Sequence, residues 1–147
     1  MTNSMMKEGN PNQSCIDSCN KCVQICEECF TMCLNEEDVK ERIHCIKSLQ
    51  DCAEVCSLAV KVMARDSHMT YDLCRFCAKV CEDCAEHCGK FEDEHCQICA
   101  KTCRECAAEC KKMARWQAHD LWLMTYVISL FFKIILTKKH MFAIIIL

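Results

Sequence analysis

Between Cys15 and Cys33 six cysteines, Cys15, Cys19, Cys22, Cys26, Cys29 and Cys33, follow one another at steps of four, three, four, three and four residues. An α-helix turns once in about 3.6 residues, so alternating steps of three and four hold every thiol on one face. Cysteine thereby occupies the a and d seam, where a bundle helix ordinarily carries Leu or Ile. At about 1.5 Å of rise per residue the sulfurs form a line roughly 27 Å long.

The rest of the chain repeats the pattern. The first helix is expected from about Asn12 to Leu34, stopped by the polar Asn35-Glu36-Glu37-Asp38 cluster. A second, from about Asp38 to Arg65, keeps the phase with Cys45, Leu49, Cys52, Cys56, Ala59 and Met63. Asp66-Ser67 supplies an N-cap type of turn before a third helix from Met69 to Cys88, which carries Cys74, Cys77, Cys81, Cys84 and Cys88. Gly89 stands where a C′ glycine ends a helix. The fourth, from about Glu92 to Arg115, carries Cys96, Cys99, Cys103, Cys106 and Cys110. Four helices of similar length joined by short connections predict an all-α, up-down-up-down four-helix bundle with a cysteine-lined core. The expected organisation is a flexible lead-in over 1–13, the bundle over 14–115 and an apolar tail over 116–147.

A seam of small thiols makes a thin core. Ile16, Val23 and Phe30, then Ile46, Ala53 and Val60, with Val55 and Val62, recur every seven residues beside it. They serve as core flanks or as a surface buried in an oligomer.

Nineteen cysteines in a short chain ordinarily indicate a secreted disulfide scaffold. Against that stand only two Gly and one Pro, too few for a loop-rich fold, and an opening stretch, MTNSMMKEGNPNQS, without an apolar leader segment. The expectation is a reduced, cytoplasmic protein whose thiols are in use. A net charge of −3 with mixed signs gives no indication of a nucleic-acid partner.

Six CxxC pairs occur: Cys19/Cys22, Cys26/Cys29, Cys74/Cys77, Cys81/Cys84, Cys96/Cys99 and Cys103/Cys106. A thioredoxin-like centre needs its pair at a helix N-terminus in a βαβ setting. Zinc knuckles place such pairs on tight turns, and iron–sulfur motifs wrap a cluster from loops. Here the pairs run on through helix. Soft thiolates select soft metals, and Cu(I) is the softest common intracellular candidate. It accepts two or three ligands, so neighbouring thiolates on one helix, or on facing helices, suffice. Two terminal thiolates per ion give about 9 ions, and thiolates each shared by two ions give about 19, at which each thiolate charge is neutralised. A zinc or heavy-metal buffer is the alternative reading, and an iron–sulfur or dithiol redox protein a further one. Cys45 stands apart from Cys52, with Leu49 between them, and is partly structural on this reading.

Alternating helices place Cys33, Cys45, Cys88 and Cys96 at one end and Cys15, Cys56, Cys74 and Cys110 at the other. His44, His87 and His95 fall at the first end, with Met32 nearby, and imidazole and thioether both bind Cu(I). Metal is therefore expected to enter there, although surface histidines flanking a helix terminus fit the same positions. Glu27, Glu28, Glu82, Asp83, Glu105 and Glu109 sit off the seam as a solvated face, and no nucleophile–base or paired-carboxylate constellation points to an enzyme.

The cysteine-lined helices and the segment HCQICAKTCRECAAECKKMA, from His95 to Ala114, resemble the cytosolic branch of the bacterial copper storage proteins over about Cys15 to Ala114. The resemblance implies a four-helix bundle, commonly tetrameric, that stores many Cu(I) ions in a thiolate-lined core and takes them up at the end bearing histidines. The tail departs from that pattern. LWLMTYVISLFF, from Leu121 to Phe132, lacks charge but is followed by Lys133, short of the roughly 20 apolar residues of a spanning helix. A weak membrane anchor, a fifth helix packed on the bundle and an accidental tail from a shifted reading frame all remain open readings.

Overall fold

The computed structural model describes residues 9–114 and 125–134. The chain divides into two units, Met1–Ala114 and Arg115–Leu147. The first holds four helices: α1 (Gln13–Leu34), α2 (Ile43–Ala64), α3 (Thr70–Cys88) and α4 (Glu94–Met113). Each packs against the next in sequence, and α4 closes on α1. Contacts such as Cys15 with Cys110 and Cys33 with Cys96 make α1 and α4 antiparallel, and Cys45 with Cys88 and Cys56 with Cys77 do the same for α2 and α3. The up-down-up-down bundle is thus present.

Local signals contribute little to these helices. None of the four has a side-chain hydrogen bond at its N-cap, so burial of one face is what holds them. Glu94 in the first turn of α4 and Lys111 and Lys112 in its last turn do complement the helix dipole. All 19 cysteines are buried, joined by Leu49, Met63 and small residues such as Ala59, Ala78 and Ala100. Ile16, Ala53 and Val62 are buried with them, while Val23, Phe30, Ile46, Val55 and Val60 are half-buried flanks.

Three local expectations change. Helix two begins at Ile43 rather than near Asp38, because residues 36–42 form successive turns, with Val39 N–H donating to Glu36 C=O (3.2 Å) and Arg42 N–H to Val39 C=O (3.1 Å). Gly89 is not a left-handed cap: its φ is −64°. It is a site of close approach, since a Cβ there would lie 2.9 Å from the Ala85 carbonyl oxygen and 3.2 Å from Arg104 Nη2. A left-handed residue is found instead at Asp66 (φ 49°), in the turn after α2, and Ser67 Oγ then accepts from Met69 N–H at 3.3 Å. Within the stretch read as a lead-in, Asn10 and Asn12 each donate through Nδ2 to the Met63 carbonyl, both at 3.3 Å, tying 10–12 to the end of α2. Residues 1–8 lie outside the described residues.

In the second unit residues 125–134 are helical. The remaining tail expectations fall outside the described residues. Among those described, no helix is long and apolar enough to cross a membrane.

Candidate metal centre

The seam periodicity of each helix turns its thiols inward, and four seams meeting produce a continuous stack of sulfur. All 19 thiols are free. At the end bearing His95, Cys29, Cys33, Cys96 and His95 have ligand atoms within 4.8 Å of one another. Cys33 Sγ lies 3.7 Å from both Cys96 Sγ and His95 Nε2. Beside them Cys45 and Cys88 approach to 3.3 Å, and Cys88 reaches Cys84 (4.0 Å) and Cys99 (3.9 Å). Cys45 is therefore among the thiols rather than apart from them.

Further in, three four-thiol groups overlap: Cys26, Cys84, Cys99 and Cys103; Cys22, Cys26, Cys52 and Cys103; and Cys22, Cys52, Cys56 and Cys81. Cys56 then meets Cys77 at 3.6 Å and Cys106 at 4.0 Å, and Cys106 meets Cys19 at 3.6 Å. Cys15, Cys19 and Cys110 form the last group, and the buried Cys74 shares their end of the bundle. The expected terminal place of Cys56 is corrected: it sits a layer inside, and beyond it α2 presents the buried Ala59 and Met63. The physical reason is that the cysteines of α2 stop at Cys56, well before the helix ends at Ala64, so its last turns carry the seam without sulfur.

The spacing suits metal. Three ligands about 2.3 Å from an ion stand about 4.0 Å apart, and four in a tetrahedron about 3.8 Å. Neighbouring sulfurs here lie between 3.3 and 4.0 Å apart. Distance alone thus admits zinc or copper, and sharing and charge separate them. Cys22, Cys26, Cys52 and Cys103 each belong to more than one group, so separate closed sites would compete for ligands. A Zn²⁺ ion with four thiolates also leaves two negative charges per site in a buried core, whereas one Cu⁺ per thiolate leaves none.

Protonation follows the surroundings. Burial pushes the Cys33 thiol up, and burial followed by the nearby Cys33 charge pushes Cys96 up to about 12. Hydrogen bonding from Cys88 pulls Cys45 below the ordinary thiol value. The metal-free stack is therefore held largely as neutral thiols near His95, and a metal entering there displaces protons.

The three histidines separate. His95 joins the thiols, with Cys29, Cys33 and Cys96; its Nε2 also lies 3.9 Å from a Glu36 carboxylate oxygen. His44 and His87 stack on each other at 6.4 Å between ring centroids, and His87 Nδ1 hydrogen-bonds to the Asp83 carbonyl at 2.9 Å. His44 is exposed and His87 half-buried.

Sequence reasoning missed Arg42. Its side chain is 5 % exposed and lies at the His95 end. Nε and Nη2 donate to Asp38 at 2.5 and 3.0 Å, Nη1 pairs with Asp93 at 2.8 Å, and Nη1 also reaches Cys96 Sγ at 3.6 Å. The guanidinium carbon stands 4.4 Å from the Phe91 ring centroid. Hydrogen bonding to Arg42 holds both carboxyls below the usual range. The signal was in the spacing: Arg42 precedes Cys45 by three residues, in phase with the seam.

Known proteins share this arrangement. The copper storage protein family model matches residues 8–115. A cysteine-rich protein of Bacillus subtilis, YhjQ, is 43% identical over 83 residues, covering 56% of this chain and 77% of its own. The solved structure of Cu(I)-bound copper storage protein BsCsp3 has a TM-score of 0.66 and 44% identity, over 69% of this chain and 96% of that one. A cytosolic copper storage protein from Streptomyces lividans, solved with five coppers, has a TM-score of 0.70 and 32% identity, over 73% and 94%. With its matched segment spanning the whole bundle, the chain belongs to the copper storage protein family.

Proposed function

We propose that this protein sequesters and stores Cu(I), many ions per chain, on the thiolates of Cys15 to Cys110, with His95 as a further ligand at one end. The observation that carries this is the overlap of the ligand groups. Because Cys26 and Cys103 belong to two neighbouring four-thiol groups, as do Cys22 and Cys52, an ion can pass from group to group without ever being free. Each arriving Cu⁺ replaces thiol protons, so the buried core gains metal without gaining charge. The residues do no covalent chemistry in this role, and the protein is read as a store rather than an enzyme.

The same reading places the protein in the reducing cytoplasm, as described for the Streptomyces lividans relative, and treats 116–147 as a unit apart from storage. It includes assembly into a homo-oligomer, a tetramer as the family resemblance implies. The exposed Leu58 (47%) and Phe76 (54%) support an interface.

The test is an anaerobic titration of the reduced chain with Cu(I) against a competing chelator. Retention well above about nine ions per chain, approaching one per thiolate, is expected from shared ligation. Saturation at a handful, with zinc or iron already bound on isolation, refutes the copper reading.

A further inference from the structure

The second unit carries chemistry that copper storage does not use. Residues 125–134 form a helix within it. On that helix Val127, Ile128, Leu130, Phe131 and Phe132 are between 43% and 67% exposed. Set out at about 100° per residue, these side chains together with Tyr126 sweep about 240° of the circumference. Thr125, Ser129 and Lys133, at i, i+4 and i+8, share the narrow face that remains.

A helix that packs on one protein neighbour needs an apolar stripe little more than about 100° wide. The wider arc here fits a medium that surrounds it on most sides, as acyl chains do. At about 1.5 Å per residue the helix is about 15 Å long, half of the ~30 Å hydrocarbon core, so it is suited to the interface and not to crossing. Charge indicates the kind of lipid. No acid follows Asp120, whereas Lys133, Lys138 and Lys139 do, in a chain whose net charge is −3. Attraction to an anionic surface is thus confined to this stretch. Trp116, Trp122 and Tyr126 add the amphipathic rings that are enriched where membrane meets water.

We infer that the 125–134 helix docks on an anionic lipid surface, with its broad apolar arc sunk among the acyl chains and the Thr125–Ser129–Lys133 face at the headgroups. Phe131 and Phe132, both 67% exposed, supply the largest apolar contact. Lys133, with Lys138 and Lys139 beyond it in sequence, supplies the attraction to lipid phosphate. A short apolar insertion or a basic cluster alone gives marginal binding, and the two together give a stable anchor. No thiol takes part. Copper storage and lipid contact are therefore separate properties of one chain, and the store is held at a membrane face.

The test is flotation of the reduced, full-length protein with vesicles of phosphatidylcholine containing about a quarter phosphatidylglycerol, and with vesicles of phosphatidylcholine alone. Three variants are compared with the wild type: Phe131→Asp/Phe132→Asp, which breaks the apolar arc; Lys133→Ala/Lys138→Ala/Lys139→Ala, which removes the charge; and Phe76→Asp, which alters an exposed apolar residue of the bundle. All lie off the thiol core, and circular dichroism confirms that each is folded. The wild type and Phe76→Asp are expected to float with the anionic vesicles, and the double-aspartate variant to stay behind. The triple-alanine variant is expected to bind about a hundredfold more weakly, at roughly tenfold or a little less for each lysine. Failure of the wild type to float, or equal flotation of the double-aspartate variant, overturns the lipid site. So does self-association of the wild type without vesicles that the double-aspartate change abolishes while flotation is absent, since the arc is then covered by a second copy.

Discussion

Leu49 interrupts the thiols of α2 at a seam position and is fully buried. Replacing it by cysteine tests at once what the larger side chains give the fold and what continuity gives the store. Leu49→Cys exchanges four side-chain carbons for one carbon and one sulfur, a net loss of two methyl-sized groups. At about 0.8 kcal/mol each, with a modest cavity contribution, the metal-free protein should lose about 2 kcal/mol. For a unit of this size that lowers Tm by roughly 10 °C. The assay is thermal unfolding of the reduced, metal-free protein by circular dichroism, followed by Cu(I) titration. A twentieth thiol at that position should raise saturation by about one ion per chain when thiolates are shared. A Tm within about 2 °C of wild type would refute Leu49 as a principal packing residue. An unchanged copper count would refute the view that any in-phase sulfur joins the stack.

Two pH dependences of opposite sign follow from Cys96, pushed up to about 12, and from Cys33, raised in the same direction by burial. For the metal-free protein, a raised thiol pKa gives stability that is present below the ordinary thiol pKa of 9.0 and lost as pH climbs towards about 12, so Tm measured across that range should fall. Copper affinity should instead weaken on acidification, by about tenfold per pH unit for each proton released, in chelator competition at two pH values; an affinity independent of pH would contradict neutral thiols in the empty core. Gly89→Ala places a methyl 2.9 Å from a backbone oxygen that has little room to move. That clash outweighs the gain from a stiffer unfolded chain, and denaturant unfolding should show a loss of about 1 kcal/mol.

The sequence was a good guide wherever periodicity carried the information. Steps of three and four turned every cysteine inward, and short connections between helices of equal length left one economical topology. Where several neighbours decide, it was a poorer guide. Arg42 stands in seam phase, but its partners Asp38, Asp93 and Phe91 come from two different turns, and no local pattern pairs them. Position along the helix placed three histidines at one end. Which way each ring faces depends on the helix beside it: His95 was turned to the sulfur, while His44 and His87 stack on each other. Gly89 looked like a left-handed cap because glycine usually is one there, whereas the constraint came from the close approach of the Ala85 carbonyl oxygen and of Arg104 on the adjoining helix.

The way sulfur is divided among the helices has a consequence for the life of the protein. Cys22 and Cys26 lie on α1, Cys52 on α2 and Cys103 on α4, so an ion held by that group rivets three helices together. Apart from Leu49 and Met63, the core has little large aliphatic material of its own, and ligands that bind only the folded state add directly to its stability. Cargo thus doubles as mortar. A full molecule resists opening and an empty one yields more readily, so a protease that cuts opened chains would remove spent molecules and spare laden ones, sensing the fill level without contacting a single metal ion.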